Sequence, residues 1–160
     1  MNAPQALALL RSREVGLQPQ RASVRDWANV LATFPLFASV KKRQLRKLVR
    51  EATFAEFAPG EPVLAGGRSD ESLYIILGGA AKADERPAPR VLRAGDYFGE
   101  LALIDGAPRS TAIIATQELH VMKLPRQAIV GLAAQHAAIS VTMFKNLSRQ
   151  LRRLEAQAAS

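Results

Sequence analysis

Apolar positions recur at two periods along this chain, a helical one at each end and a strand-like one between. From Ser23, Trp27, Val30 and Leu31 share one helical face, and Ser23 is an N-cap residue with Asp26 at the third helical position. Phe34-Pro35-Leu36-Phe37 ends that helix, because proline disfavours helical geometry in the residue before it. Ser39 then caps a second helix over Val40–Ala52, with Leu45, Leu48 and Val49 as its apolar stripe. Its other face carries Lys41, Lys42, Arg43, Arg46, Lys47 and Arg50, which reads as solvated surface or as a contact for an acidic partner.

Between Thr53 and Leu124 the period shortens. Strands are expected at Thr53–Phe57, Pro62–Ala65, Leu73–Leu77, Ala80–Ala83, Val91-Leu92, Ala112–Thr116 and Leu119–Leu124. Turns or loops separate them at Pro59-Gly60, Gly66–Asp70, Gly78-Gly79, Asp84–Pro89 and Ala94-Gly95-Asp96. Many short strands at this spacing argue for a sandwich, barrel or jelly roll. From Pro125 the helical pattern returns. Gln127–Gln135 is predicted to turn Ile129, Val130 and Leu132 inward, and His136–Gln157 carries Ile139, Met143, Leu147, Leu151 and Leu154 near a 3–4 spacing. The Leu147/Leu151/Leu154 stripe is a candidate homodimer seam, though three turns are too few to define a coiled coil.

Met1–Gln20 opens with an Ala/Leu segment, Ala6–Leu10, and thins into a linker around Pro19. The expected organisation is therefore a mobile tail over 1–22 and one domain over 23–160. Within it, helices over 23–52 lead into a β-roll over 53–124, and C-terminal helices follow over 125–157. The fold class is mainly β with flanking helices.

Composition narrows the function classes. A chain of 160 residues suits one domain with a real core. Zero cysteines remove disulfides and thiolate chemistry, and fit a reducing, cytoplasmic setting. The two histidines, His120 and His136, lie far apart with no metal-ligand spacing, so no metal is expected, and His136 near a helix start reads as an ordinary surface residue. No Ser/His/Asp or Cys/His nucleophile set is present, and no enzyme activity is expected. The formal charge of +8 raises nucleic acid and anionic lipid as partners. No apolar run approaches the ~20 residues of a membrane span, and no signal-peptide pattern opens the chain.

The stretch Tyr97–Ala112, YFGELALIDGAPRSTA, carries the candidate chemistry. A glycine beside a fixed carboxylate brings backbone N–H groups and an acceptor close to a ligand. The N-terminus of a helical turn favours an anion through its unpaired N–H groups. An arginine followed by a hydroxyl residue supplies a bidentate fork and a further donor for phosphate. Together these describe a sugar-phosphate pocket, with Glu100 for ribose hydroxyls and Arg109 for the phosphate.

This segment closely resembles the phosphate-binding cassette of the cyclic-nucleotide-binding domain family, whose pattern is roughly F-G-E-[LI]-[AG]-L…P-R-[AST]-A. The match runs through Phe98, Gly99, Glu100, Leu101, Ala102, Leu103, Pro108, Arg109 and Ser110. Thr111 departs from it, the family usually having alanine there, and the acidic residue common near Gly66-Gly67 is missing. The helix–"P-L-F"–helix order and the glycine-marked turns in APGEPVLAGG, SLYIILGG and LRAGDYFGE also resemble the family.

The resemblance implies an antiparallel β-roll and a sensor of cyclic nucleotide. It assigns the ribose 2′-hydroxyl to Glu100 and the Gly99 backbone, the cyclic phosphate to Arg109, and a further donor to Ser110, with Phe98, Leu101, Ala102, Pro108, Thr111 and Leu92 shaping the pocket. The last helix corresponds to the lid over the base, and Arg149, Arg152 and Arg153 are the candidates to stack on it. Ser110 leans towards cAMP over cGMP. The expected function is a stand-alone sensor that moves its C-terminal helix on binding and signals to an unknown protein partner in trans. The alternative is a vestigial pocket serving protein–protein interaction. Relatives that bind DNA place a helix-turn-helix unit after the lid; the chain ends at Ser160 without one, so no DNA-binding activity is expected of it, and the lack of spans argues against a channel.

Overall fold

A computed structural model of the protein describes residues 23–64, 71–84, 88–100 and 112–159. Two antiparallel four-stranded sheets face each other, with helices before and after them. Helix α1 (Val24–Leu31) begins in a reciprocal cap: the Asp26 N–H donates to Ser23 Oγ at 3.1 Å, and the Ser23 N–H donates to Asp26 Oδ2 at 3.1 Å. Its Trp27, Val30 and Leu31 are buried, as the period predicts, and Ala28 is buried beside them. A 3₁₀ turn at Pro35–Phe37 follows.

Helix α2 spans Lys42–Glu51 and is shorter than the sequence reading. Lys41, in extended geometry, stands at the cap position, and Ser39 does not cap the helix. The reason lies one turn back: the Val40 N–H is taken by the Phe37 carbonyl at 3.0 Å, and the Val40 side chain is buried in the core. The stripe of Leu45, Leu48 and Val49 is buried as expected.

The strands are β1 (Thr53–Phe57), β2 (Pro62–Leu64), β3 (Leu73–Gly78), β4 (Ala80–Ala83), β5 (Arg90–Arg93), β6 (Tyr97–Phe98), β7 (Ile113–Ala115) and β8 (Leu119–Leu124). One sheet runs β1-β8-β3-β6 and the other β2-β7-β4-β5. Strand β3 is buried at every position because both of its faces are covered. Leu73, Ile75 and Leu77 join the helices in one core, while Tyr74 and Ile76 pack between the sheets in a second. The β3–β4 turn depends on Gly79, at φ +84°, where an added Cβ would lie 1.9 Å from the Glu118 carbonyl oxygen.

Helix α3 (Arg126–Gln135) buries Ile129 and Leu132, but Val130 is 47% exposed, against the expectation of an inward position. One residue is a 100° turn of a helix, so Val130 cannot share the face defined by Ile129 and Leu132. Helix α4 (Ala137–Ala158) leaves α3 at a 112° bend, with half-buried His136 as the joint between them. It buries Ile139 and Met143 against the body. Leu147 is half-buried, whereas Leu151 and Leu154 are exposed, which leaves the predicted leucine stripe on the outside. Among the described residues no single helix is long and apolar enough to cross a membrane. The Met1–Gln20 tail and the Gly66–Asp70 loop lie outside the described residues.

Candidate functional site

Strand β6 sets up the site by simple alternation. Phe98 turns between the sheets and stacks on Tyr74, ring centroids 4.8 Å apart and 11° from parallel. Tyr97 turns the other way, towards α4. Gly99 then takes φ +97°, a backbone shape that suits glycine, and delivers Glu100 into the interior. Glu100 is the single buried polar or charged side chain among the described residues, 4% exposed. A carboxylate removed from water costs several kcal/mol unless hydrogen bonds or cations compensate, so its position needs partners.

One partner comes from helix α4. Gln150 Nε2 of α4 donates to Glu100 Oε1 at 3.3 Å. One helical turn earlier, Asn146 Nδ2 donates to the Tyr97 hydroxyl oxygen, and Arg149 Nη1 donates to Asn146 Oδ1 at 3.2 Å. Burial pushes the Tyr97 phenol above its ordinary pKa, partly offset by the Asn146 hydrogen bond; the Glu100 carboxylate adds to the rise and the Arg149 cation opposes it. Tyr97 is thus a neutral phenol whose oxygen accepts from Asn146 of α4.

Between this part of α4, β5 and the β5–β6 turn lies a cavity of about 500 Å³, walled by Leu92, Asp96, Tyr97, Asn146, Arg149 and Gln150 among others. Its size falls in the range of small-molecule sites. Of the residues selected from the sequence, Leu92 and Arg149 line this cavity, and Phe98, Gly99 and Glu100 adjoin its Tyr97 wall. Arg152 is exposed and lines an adjoining shallow groove with Val141 and Phe144 instead. Leu101, Ala102, Pro108, Arg109, Ser110 and Thr111 lie outside the described residues.

Asn146 and Gln150 escaped the sequence reading. The signal was present: Ile139, Met143, Asn146, Gln150, Arg153 and Gln157 follow one 4-3-4-3-4 spacing, and all six are buried or half-buried. The inward face of α4 turns from apolar to polar where it leaves the core and crosses the site.

Residues 54–136, just over half of the chain, match the family described as Cyclic nucleotide-binding domain. The chain belongs to that family. It is 31% identical over 129 residues to a cAMP-dependent protein kinase regulatory subunit of Hypocrea atroviridis, an alignment covering 79% of this chain and 28% of that protein. It is 29% identical over 130 residues to the CRP-like cAMP-activated global transcriptional regulator of Mycobacterium tuberculosis, covering 78% and 58%. The chain thus spans well under two thirds of the length of these relatives. Among solved structures, a cAMP-bound PfPKA-R superposes with a TM-score of 0.76 at 21% identity, over 84% of this chain and 47% of that one. The cyclic-nucleotide-binding fold accounts for the two sheets, the preceding helices and the α3–α4 elbow.

Proposed function

We propose that the chain senses a cyclic nucleotide, cAMP in preference to cGMP, and reports it through helix α4 to a protein partner. The observation that carries this reading is Glu100: a buried carboxylate that follows a left-handed glycine and is hydrogen-bonded to Gln150 of α4, itself a wall residue of the nucleotide-sized cavity. In this reading Glu100 and the Gly99 backbone take the ribose 2′-hydroxyl, Arg109 takes the cyclic phosphate, and Ser110 adds a donor. Phe98, Leu101, Ala102, Pro108, Thr111 and Leu92 complete the walls. Arg149, on the cavity, is better placed than Arg152 to stack on the base. Ligand would bias α4 by its different affinity for the two arrangements of that helix. The exposed Leu151 and Leu154 are the surface through which two copies would pair.

Gln150's hold on Glu100 favours one second reading, a pocket closed on itself that serves protein contacts. Isothermal titration calorimetry with cAMP and cGMP at physiological salt decides between them. Micromolar or tighter binding at one site per chain supports the sensor; no heat and no thermal shift with either nucleotide selects the second reading. Arg109→Ala should weaken binding by roughly 2–5 kcal/mol, and unchanged affinity would remove Arg109 from the site.

A further inference from the structure

The cations of α2 border a groove that the nucleotide site does not use. Between α2 and α3 runs a cavity of about 790 Å³. Its α2 wall carries Lys41, Arg43, Lys47 and Arg50, all exposed, with Glu51 as its single acid. None of the four cations forms an ion pair with another described residue. The floor is apolar, formed by Leu48, Ala128 and Leu132, and the α3 wall is uncharged, with Gln127, Gly131 and Gln135. At the edge, Gln44 Nε2 donates to Gln135 Oε1 at 3.4 Å and ties the two walls together.

Gly131 stands inside an exposed stretch of α3, where a Cβ would meet nothing within 4 Å. Glycine weakens a helix interior relative to alanine, so this position gives up helix stability with no steric need inside the chain. What the missing side chain does provide is room for another backbone beside the apolar floor.

We propose that this groove docks an acidic, amphipathic segment of a partner protein. Carboxylates would face Lys41 at the cap and Arg43, Lys47 and Arg50 of α2, an apolar side chain would rest on Leu48 and Leu132, and the backbone would pass over Gly131. Charge complementarity selects the acid. The concave shape and apolar floor favour a peptide over a lipid surface or a nucleic-acid backbone, which would meet the cations alone.

Fluorescence anisotropy of a labelled, roughly 14-residue helical peptide of glutamates and leucines at amphipathic spacing, titrated with the full chain at low and physiological salt, tests this. Saturable binding that weakens with salt is expected. Arg43→Glu with Lys47→Glu should weaken it about tenfold or more, and so should Gly131→Trp, which leaves the charge untouched and fills the groove. A peptide with glutamine in place of leucine should also bind more weakly. Circular dichroism melts verify that each variant is folded, and Arg43→Gln with Lys47→Gln replaces the reversal if it is not. No saturable binding, indifference to Gly131→Trp, or tighter binding to phosphatidylserine vesicles or to a short DNA duplex would each overturn the proposal.

Discussion

Replacing Gln150 by alanine severs the link between helix α4 and the buried carboxylate. The bond is neutral-to-charged, a class worth about 1.5–3 kcal/mol, but at 3.3 Å it lies just beyond the usual length range. Gln150 is half-buried, and freeing its side chain returns part of the cost of holding it. A net loss of about 1 kcal/mol follows, and with it a fall in Tm of roughly 2–4 °C for a domain of this size. The same change should weaken cAMP binding, because the cavity wall includes α4 and a less populated docked helix reduces apparent affinity in proportion. A loss of about 1 kcal/mol is roughly fivefold in dissociation constant. Calorimetry and thermal melts of Gln150→Ala beside Arg152→Ala, an exposed neighbour off the cavity, give the comparison. Tighter binding by Gln150→Ala would refute the reasoning, since Gln150 would then compete with the ligand for Glu100. Equal affinity for both variants and the parent would refute it too.

Gly79→Ala combines a left-handed backbone with a clash on the Glu118 carbonyl, and should cost about 2–5 kcal/mol in chemical denaturation. Gly131→Ala, in open space within α3, should instead stabilise by about 0.5–1 kcal/mol without changing nucleotide affinity, as paired melts and titrations would show. Because burial raises the folded-state pKa of Tyr97, the unfolded chain releases this proton first as pH climbs past about 10, so stability contributed by the neutral phenol is intact below that pH and lost above it. Tyr97→Phe should therefore lose less stability than the parent between about pH 9 and pH 11 in urea titrations. Ser23→Ala removes the α1 cap and should cost about 1 kcal/mol in the same assay.

What was legible in the sequence depended on how local its cause was. The Ser23 cap, the Leu45/Leu48/Val49 stripe and the turns at Gly60, Gly79 and Gly95 follow from neighbours a few residues away, and each formed where the pattern placed it. The start of α2 did not, because the 3₁₀ turn before it takes the N–H of Val40, a tertiary choice invisible to capping rules. Val130 is apolar like Ile129 and Leu132, but its helix angle carries it off their buried face. At the site, FGE at 98–100 announced the carboxylate, since glycine and acid are adjacent in the chain. Asn146 and Gln150 were hidden, because the leucines at 147, 151 and 154 form a more regular apolar stripe on the neighbouring face of α4.

Helix α4 also has the proportions of a lever. Its last buried side chain, Met143, is the fulcrum, Gln150 lies seven residues on, and Ala158 fifteen. At about 1.5 Å of rise per residue these arms are roughly 10 Å and 22 Å. A tilt that draws Gln150 away from Glu100 by about 1.5 Å, enough to break a hydrogen bond, sweeps the far end of the helix through roughly twice that distance. Whatever rests on the helix beyond the exposed Leu154, eleven residues from the fulcrum, therefore feels a copy of an event at one buried carboxylate amplified by about one and a half times or more.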